Sequence, residues 1–336
     1  MKNIIQELKN ILFDFLYFFS TKKGCRSRLS AKIGYMTLRI IIFSTVEKLY
    51  RFWNRKEIIR TLKKSKIKLS KNADYFTAKL DLDKKYINYL IDILEKNTTS
   101  IQRHNSVNKK NNKREFEQTS KNVLESHFVP NTNTLGGIEA DLKNHGRNIS
   151  QYINIDHELV GDLGQLFSSI GVNKFLKTAS FMAGYPLKLS DLTFSINRSI
   201  GSNRNVHWHS DTFHSMIKGF IYLSKVEITD APFEFCANST DLKSILEIHQ
   251  PWLANFSKKS VANPESPRLV NRYQLNKTEK NKISFIGKPG TLIVANTSGL
   301  HRKGEDISNK ERLLLYFEVK RLSLYKRVLR IFFNQK

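Results

Sequence analysis

Apolar residues at helical spacing occur near both ends of the chain. In residues 4–20, eight apolar side chains recur every three or four positions, with acidic and basic residues between them. Residues 33–53 and 322–336 show the same spacing, with arginines and lysines around the apolar stripe. This period predicts amphipathic helices. Such helices either pack against the domain behind them or lie on a membrane surface.

From about residue 175 the pattern changes to short β-like runs bounded by turn residues. The clearest runs cover residues 192–196, 216–223, 291–295 and 313–319. They are rich in β-branched, aromatic and other apolar residues, which is typical of strands. Many short strands separated by turns predict an antiparallel sandwich or jelly roll. We therefore expect a mainly β core with an α-helical N-terminal region and flanking helices.

These patterns divide the chain into four regions. An Asn- and Lys-rich stretch and a long polar stretch containing three prolines interrupt the periodic segments. The first is typical of an exposed loop or the polar face of a helix, and the second of a lid-like insertion. The predicted regions are a basic helical part at 1–72, a mixed and largely helical part at 73–174 that contains the polar stretch 98–122, a jelly-roll core at 175–321 that contains the insertion 240–282, and a basic amphipathic helix at 322–336.

Charge adds a second kind of information, because it is unevenly distributed. The 336 residues include 56 Lys and Arg against 30 Asp and Glu, a formal net charge of +26. Residues 1–72 alone hold 18 basic and 4 acidic side chains. A field of that size attracts polyanions or anionic lipid headgroups. Because the excess lies far along the chain from the β-rich core, we do not expect a nucleic acid as the substrate.

The two cysteines, Cys25 and Cys236, are too few and too far apart to form a disulfide framework. This count is typical of a reducing, cytosolic compartment. Charged residues interrupt the first apolar stretch, which argues against a cleaved secretory signal. The sequence contains no uninterrupted run of about 18 apolar residues, so we do not expect a membrane-spanning helix. We therefore expect a cytoplasmic protein, with the membrane periphery as the alternative location.

Candidate chemistry lies in three separated pieces: His209-Ser210-Asp211, His301 and Arg312. In an extended segment, residues i and i+2 project to the same face, so His209 and Asp211 share one face. His301 follows one predicted strand and Arg312 opens another, so each piece lies near a strand end. Two imidazoles and one carboxylate on one face form a site for ferrous iron with open positions. The sequence therefore predicts an oxygen-activating centre, provided that the pieces meet in space.

Residues 190–321 resemble the phytanoyl-CoA dioxygenase-like branch of the Fe(II)- and 2-oxoglutarate-dependent oxygenases. Order and spacing of six segments both agree, which makes the match more specific than any single motif. The segments are Trp208-His209-Ser210-Asp211-Thr212-Phe213, Lys218 to Val226, Ala231-Pro232-Phe233-Glu234-Phe235, Gly287 to Leu292, Asn296 to Arg302 and Glu311-Arg312.

The resemblance implies a double-stranded β-helix in which His209, Asp211 and His301 hold the iron. Arg312 would bind the distal carboxylate of the co-substrate 2-oxoglutarate with its bidentate fork. Three protein ligands leave three positions on an octahedral ion, enough for a chelating keto acid and dioxygen. Related halogenating enzymes lack the carboxylate, so Asp211 favours hydroxylation or another oxidation without halide.

The chain departs from the branch at two places. Ala231-Pro232 and Ala237-Asn238-Ser239-Thr240 replace the usual Gly-Pro and Pro-Gly-Ser-His, which affects the local substrate wall rather than the iron. Lys303 stands where a small hydroxyl residue can assist keto-acid binding, so the second contact to the co-substrate is open. Lys218 is a candidate for that contact, and a plain surface lysine is the alternative interpretation.

Four further residues are candidates for substrate contact: His207, Trp208, Arg268 and Arg272. His207 flanks the predicted ligands and is also an alternative ligand, although it lacks a carboxylate at i+2. A tryptophan in the position of Trp208 is more often a packing residue than a platform for a substrate. Arg268 and Arg272 lie in the long insertion, where they would contact an anionic substrate or only solvent.

Two functions remain as hypotheses. The first is a 2-oxoglutarate-dependent iron dioxygenase that oxidises a small-molecule or acyl, lipid-linked substrate. The second is a catalytically inactive basic jelly roll that binds a membrane surface or nucleic acid. An intact set of ligands with the arginine favours the enzyme, while the family's breadth leaves the substrate itself open.

Overall fold

Two antiparallel β-sheets face each other and form the centre of the molecule. The computed structural model describes residues 29–63, 65–95, 149–155, 160–161, 163–200, 207–254, 268–269, 278–320 and 322–333. The helices are α1 (Leu29–Lys63), α2 (84–95), α3 (Leu163–Leu166), α4 (Val172–Ala183), α5 (Leu242–Ala254) and α6 (Leu324–Phe333). The strands are β1 (Lys68–Leu69), β2 (Tyr75–Lys79), β3 (Ile149–Ile155), β4 (Leu192–Ile200), β5 (His209–Ser210), β6 (Ile217–Tyr222), β7 (Phe233–Cys236), β8 (Arg268–Leu269), β9 (Lys282–Phe285), β10 (Thr291–Asn296), β11 (His301–Lys303) and β12 (Arg312–Val319).

Strand order confirms the predicted jelly roll. The larger sheet runs β1-β2-β10-β6-β12-β4-β3, and the smaller one runs β8-β5-β11-β7-β9. Strands β4, β5, β6 and β7 lie alternately in the larger and the smaller sheet. Strand β9 pairs with β7 in the smaller sheet, and β10, β11 and β12 then lie in the larger, the smaller and the larger sheet. Eight strands that wind in this way between two sheets form a double-stranded β-helix.

Side-chain alternation divides the larger sheet into an outer and an inner face. Leu313, Leu315 and Phe317 of β12 point outward into a large apolar core shared with α2, α3 and α4. Leu314 and Tyr316 point inward and pack with residues of the smaller sheet such as Phe233. Successive residues of a strand face opposite sides of the sheet. A shift of the strand register by one residue would therefore exchange the side chains of the outer face with those of the inner face. The inner face is the one that positions the site.

The larger sheet extends beyond the predicted core of 175–321. Strand β2 pairs with β10 next to the edge strand β1, and β3 pairs with β4 as the opposite edge strand. Residues 73–174, predicted as mixed and largely helical, therefore supply the strands β2 and β3 as well as the helices α2 and α3 and the start of α4. The polar stretch 98–122 lies outside the described residues.

Helices α1 and α6 pack together on the jelly roll, since Phe43 of α1 lies in one apolar cluster with Leu324 and Val328 of α6 and with Phe213. The helix predicted at 33–53 is the middle of the longer α1, while the helix predicted at 4–20 lies outside the described residues. Helix α4 ends at Gly184 in a left-handed conformation with φ of 75°, and a Cβ there would come within 2.4 Å of Glu47 on α1. Within the described ranges, no helix has the length and apolar character needed to cross a membrane.

The predicted insertion at 240–282 begins with the helix α5 rather than with a loop. Asp241 caps it, because its Oδ1 accepts a hydrogen bond from the backbone N–H of Ser244 at 2.8 Å. Ile245 and Ile248 are buried against neighbouring elements. Pro251 lies inside the helix, which explains why a sequence pattern that treats proline as a loop residue missed it.

Candidate metal centre

The three predicted ligands meet at one point between strand ends of the smaller sheet. Strand β5 carries His209, and β11 places His301 directly opposite it. Asp211 follows β5 in a bend, and its backbone N–H donates to the carbonyl oxygen of Thr297 at 3.0 Å. One potential ligand atom from each of the three residues lies within 4.8 Å of the others. No other group of three His, Cys, Asp or Glu among the described residues meets this criterion.

Backbone carbonyl groups orient both imidazoles. His209 Nδ1 lies 2.8 Å from the carbonyl oxygen of His207, and His301 Nδ1 lies 3.1 Å from that of Gly299. A carbonyl oxygen only accepts hydrogen bonds, so we assign the ring proton to Nδ1 in each case. Each Nε2 then keeps its lone pair for a metal ion, the arrangement that metal-binding histidines use.

Burial sets the charge of the ligands. Desolvation lowers the pKa of His209 and lowers the pKa of His301 to about 3, although the Asp211 carboxylate opposes both shifts. For Asp211 burial alone would raise the pKa, but Lys218 and the two imidazoles outweigh it and hold the pKa below its usual range. At neutral pH the site therefore offers two neutral imidazoles and one ionised carboxylate, the forms that bind metal.

Lys218 projects from the inner face of β6 toward the carboxylate. Its Nζ lies 2.8 Å from Asp211 Oδ2, and both side chains are largely buried. At this distance the two groups form a close ion pair, which favours the ionised form of the Asp211 carboxylate. His301 Nε2 lies 3.5 Å from the same oxygen. A buried carboxylate oxygen with unused acceptor capacity between two free imidazole nitrogens fits a divalent cation.

Arg312 and Lys303 form a second, cationic end of the interior. Arg312 is buried at the start of β12, where Nη1 donates to the carbonyl oxygen of Ala231 and Nε has no hydrogen-bond partner among the described residues. Lys303 lies on β11, two residues after His301. Burial, with a smaller contribution from Arg312, lowers the pKa of Lys303 to about 7 despite the opposing charge of Asp306. A buried guanidinium group near a partly protonated lysine is suited to a carboxylate, which would favour the charged form of the lysine.

Register separates Lys218 from Arg312 along the inner face. Lys218 pairs opposite Glu318 at one end of β12, while Arg312 is the first residue of that strand. Between them Phe220 stacks on Phe233 of the smaller sheet, with ring centroids 4.3 Å apart. Lys218 thus belongs to the metal end of the interior and Arg312 to the opposite end.

A row of polar residues on β4 was not found by sequence reasoning. Ser195, Asn197 and Ser199 lie opposite Tyr316, Leu314 and Arg312 of β12, so they share the inner face. Each has a buried side-chain oxygen that receives no hydrogen bond from the part of the chain that the structure describes. Polar residues at every second position usually mark a solvent-exposed face. Here the same alternation lines the interior, and the alternation within Leu192–Ile200 was the available signal.

The remaining predicted residues lie in different surroundings. His207 is exposed beside the ligands and is not part of the cluster. Trp208 is buried with Cys236, Ile248 and Leu300; its Nε1 donates to Glu279 Oε1 at 2.8 Å, which makes it a packing residue here. Arg268 belongs to β8, where it pairs with Ser210. Arg272 lies outside the described residues.

A buried ionic network supports the segment that follows Asp211, and sequence reasoning missed it. Arg327 of α6 donates through Nη1 to Glu47 of α1 at 2.7 Å and through Nη2 to the carbonyl oxygen of Ser215 at 3.0 Å. Ser215 Oγ donates to the other Glu47 oxygen at 2.6 Å. The two terminal helices therefore fasten residues just beyond the ligand Asp211.

No protein-family model and no curated protein sequence matches this chain. Among solved structures, EctD from S. alaskensis with bound Fe is 12% identical, with a TM-score of 0.39 over 74% of this chain and 73% of its own. The epimerase SnoN, in complex with Fe3+, alpha ketoglutarate and nogalamycin RO, is 10% identical, with a TM-score of 0.36 over 74% of this chain and 79% of its own. The alpha ketoglutarate dependent carbocyclase SnoK from nogalamycin biosynthesis is 11% identical, with a TM-score of 0.34 over 79% of this chain and 83% of its own. With TM-scores below 0.5 these similarities assign no reaction to this chain, and its chemistry has to be argued from its own residues.

Proposed function

We propose that this protein is an Fe(II)- and 2-oxoglutarate-dependent dioxygenase that hydroxylates a C–H bond of its substrate. One observation carries the proposal: two buried imidazoles and one largely buried carboxylate converge, with their ligand atoms within 4.8 Å of one another. Such a set binds ferrous iron and leaves positions for other ligands. The phytanoyl-CoA dioxygenase-like branch, suggested by the sequence segments around the site, is part of this proposal.

When bound, ferrous iron and 2-oxoglutarate together use dioxygen to convert a substrate C–H bond into C–OH, with release of succinate and CO2. His209, Asp211 and His301 hold the iron. Arg312 binds the distal carboxylate of the co-substrate, and that carboxylate would in turn favour the protonated form of Lys303. Lys218 lies at the metal end, where its ammonium group suits the carboxylate next to the keto group. The keto acid would thus lie between cations at both ends.

The inner face of β4 supports a substrate with polar groups. Ser195, Asn197 and Ser199 present unsatisfied oxygens to the interior, and a buried polar group without a partner is costly unless a ligand or water satisfies it. A small molecule with hydroxyl or amide groups, or an acyl, lipid-linked molecule with such a head, would meet that need. Asp211 occupies a coordination position, which favours hydroxylation over halide transfer.

The proposal is tested by adding Fe(II) and then 2-oxoglutarate to the purified protein without oxygen. We expect a visible charge-transfer band that needs both additions, because a keto acid chelating ferrous iron absorbs there. In His301→Ala the band should be lost, whereas His207→Ala should keep it, since the exposed His207 contributes only its backbone carbonyl. The inactive alternative requires that the wild-type protein shows no band, and that result would reject the enzyme.

Arg312 is tested by titrating 2-oxoglutarate into the iron-loaded protein. We expect Arg312→Met to raise the Kd for 2-oxoglutarate by about 10- to 100-fold, because a charge-assisted hydrogen bond contributes roughly 1.5–3 kcal/mol. Affinity for iron should change little. Arg198→Met is the matched control, because Arg198 lies on the neighbouring strand and pairs instead with Glu311 at 2.5 Å. Equal effects of the two variants would contradict the assigned role.

A further inference from the structure

Helix α1 has a second face that the jelly roll does not use. Its inner face buries Ile40, Phe43, Glu47, Tyr50 and Ile58 against the rest of the molecule. The opposite face exposes five large apolar side chains, which we call the α1 outer face. They are Ile41, Leu49, Phe52, Trp53 and Ile59, with Phe52 exposed by 72% and Trp53 by 50%.

Helix α6 continues the same apolar surface. Trp53 makes an edge-to-face contact with Phe332, with ring centroids 5.7 Å apart. Phe332 and its neighbour Phe333 are themselves about half exposed. Two helices from opposite ends of the chain thus join in one exposed apolar patch. Patches of this kind on soluble proteins mark an interaction surface.

Basic residues are interleaved with this patch. Lys48, Arg55, Lys56, Arg60 and Lys63 of α1 are exposed. The two acidic residues in the α1 range are engaged elsewhere: Glu47 is buried with Arg327, and Glu57 pairs with Lys177 of α4 at 2.6 Å. Helix α6 contains no acidic residue. The patch therefore presents apolar and positive side chains together.

The positive charge of this surface indicates which kind of partner can bind to it. A second copy of the chain carries the same net charge of +26 and would be repelled. Residues 1–28 of the same chain hold six basic and two acidic side chains, so they are not complementary either. An anionic lipid bilayer accepts both components, because apolar side chains enter the acyl boundary and cations meet the headgroups. Tryptophan is favoured at that boundary.

A single-stranded nucleic acid would contact fewer of the exposed residues than a bilayer would. It would use the cations and stack bases on Phe52 and Trp53. The exposed aliphatic residues Ile41, Leu49 and Ile59 offer nothing to phosphates or to base stacking, whereas a bilayer buries them. We propose that the α1 outer face, with the exposed end of α6, docks this protein on an anionic membrane surface. This inference does not depend on the proposed enzyme activity.

The test is sedimentation of the full chain with phosphatidylcholine vesicles, with and without phosphatidylglycerol. We expect binding only to the anionic vesicles, and weaker binding as salt is added. Phe52→Ser/Trp53→Ser should reduce affinity at least about tenfold, because each aromatic side chain loses its burial in the lipid. The matched control, Ile228→Ser/Ile307→Ser, changes side chains exposed by 59% and 67% elsewhere on the surface. It should bind as the wild type does.

Two further variants, each with a matched control variant, test the charge and the depth of insertion. Lys56→Gln/Arg60→Gln should lower affinity by about fivefold per charge, compared with no change for Lys288→Gln/Lys310→Gln. Brominated lipids should quench Trp53 fluorescence, so quenching should fall in Trp53→Phe and persist in Trp208→Phe. All these side chains except Trp208 are exposed, so far-UV circular dichroism and the unfolding midpoint should stay unchanged.

Three outcomes would overturn the inference. The first is equal binding to neutral and anionic vesicles. The second is loss of binding only when residues 1–28 are removed, with the α1 variants unaffected, which would assign binding to that segment. The third is α1 variants that weaken binding to a single-stranded RNA oligonucleotide but leave vesicle binding intact, which would assign the surface to nucleic acid.

Discussion

Replacing Asp211 with asparagine should abolish metal-dependent turnover of 2-oxoglutarate. The amide keeps the shape of the carboxylate but removes the charge that a divalent cation requires. Substitution of a residue that only hydrogen-bonds to a metal ligand typically lowers metal affinity by roughly 10- to 100-fold. We expect Asp211→Asn to lower the affinity for iron by more than this, because it removes a ligand itself. Calorimetric titration with Fe(II) under nitrogen measures affinity, and succinate formation measures turnover. Turnover near the wild-type rate in Asp211→Asn would show that the carboxylate is not a ligand.

The same substitution leaves the ammonium group of Lys218 buried without its counter-charge. Breaking a largely buried ion pair by removing one partner costs roughly 3–5 kcal/mol, so the metal-free variant should also unfold more easily. Asp211→Asn/Lys218→Met removes both charges and should recover most of the free energy of unfolding. It should not recover iron binding. This double variant separates a loss of fold from a loss of the site.

The candidate site was accessible from the sequence because its parts lie at strand ends. His209 lies on a short strand and Asp211 in the bend that follows it, two residues later, and His301 and Arg312 each adjoin an apolar run. The structure brings the two histidines opposite each other in register, as the prediction requires. Lys218 was a candidate for the co-substrate, and only the structure shows its ion pair with Asp211. That contact joins a bend and a strand of different sheets, which no local pattern reports.

Strands were predictable where they are buried on both faces. Strands β6, β10 and β12 are largely apolar because the outer core and the interior both cover them. Strand β2 was missed because its sequence, Tyr75–Lys79, is short and lies near the sheet edge, where polar residues are tolerated. The helix α5 was missed for another reason. Pro251 was interpreted as a loop residue, although the apolar residues before it have helical spacing and Asp241 caps the helix.

The role of the terminal helices depends on pairing across the whole chain. The sequence places Arg327 among the basic residues around an apolar stripe, which predicts an exposed side chain. In the structure it is 1% exposed and pairs with Glu47, 280 residues away. Neither residue can be buried alone, because an unpaired charge in the interior is too costly. Burial of each therefore follows from the other, and a pattern within one helix cannot reveal it.

Arg327→Met should lower the free energy of unfolding by roughly 3–5 kcal/mol. The substitution keeps much of the apolar stem but leaves Glu47 without its closest cation, and it removes donors to the carbonyl oxygen of Ser215. Arg51 stays 3.6 Å from Glu47 and compensates only in part. Urea unfolding of the full chain measures the change.

An exposed ion pair between the same kinds of element provides the comparison. Lys177 of α4 and Glu57 of α1 approach to 2.6 Å, but both side chains are more than half exposed. Lys177→Met should therefore cost at most about 1 kcal/mol. Glu47→Gln/Arg327→Met should be more stable than Arg327→Met alone, because no uncompensated charge is left in the interior. Arg327→Met and Lys177→Met could instead lower the free energy of unfolding by the same small amount. The terminal helices would then contribute little to the stability of the jelly roll, and their contact with the segment after Asp211 would not support that segment.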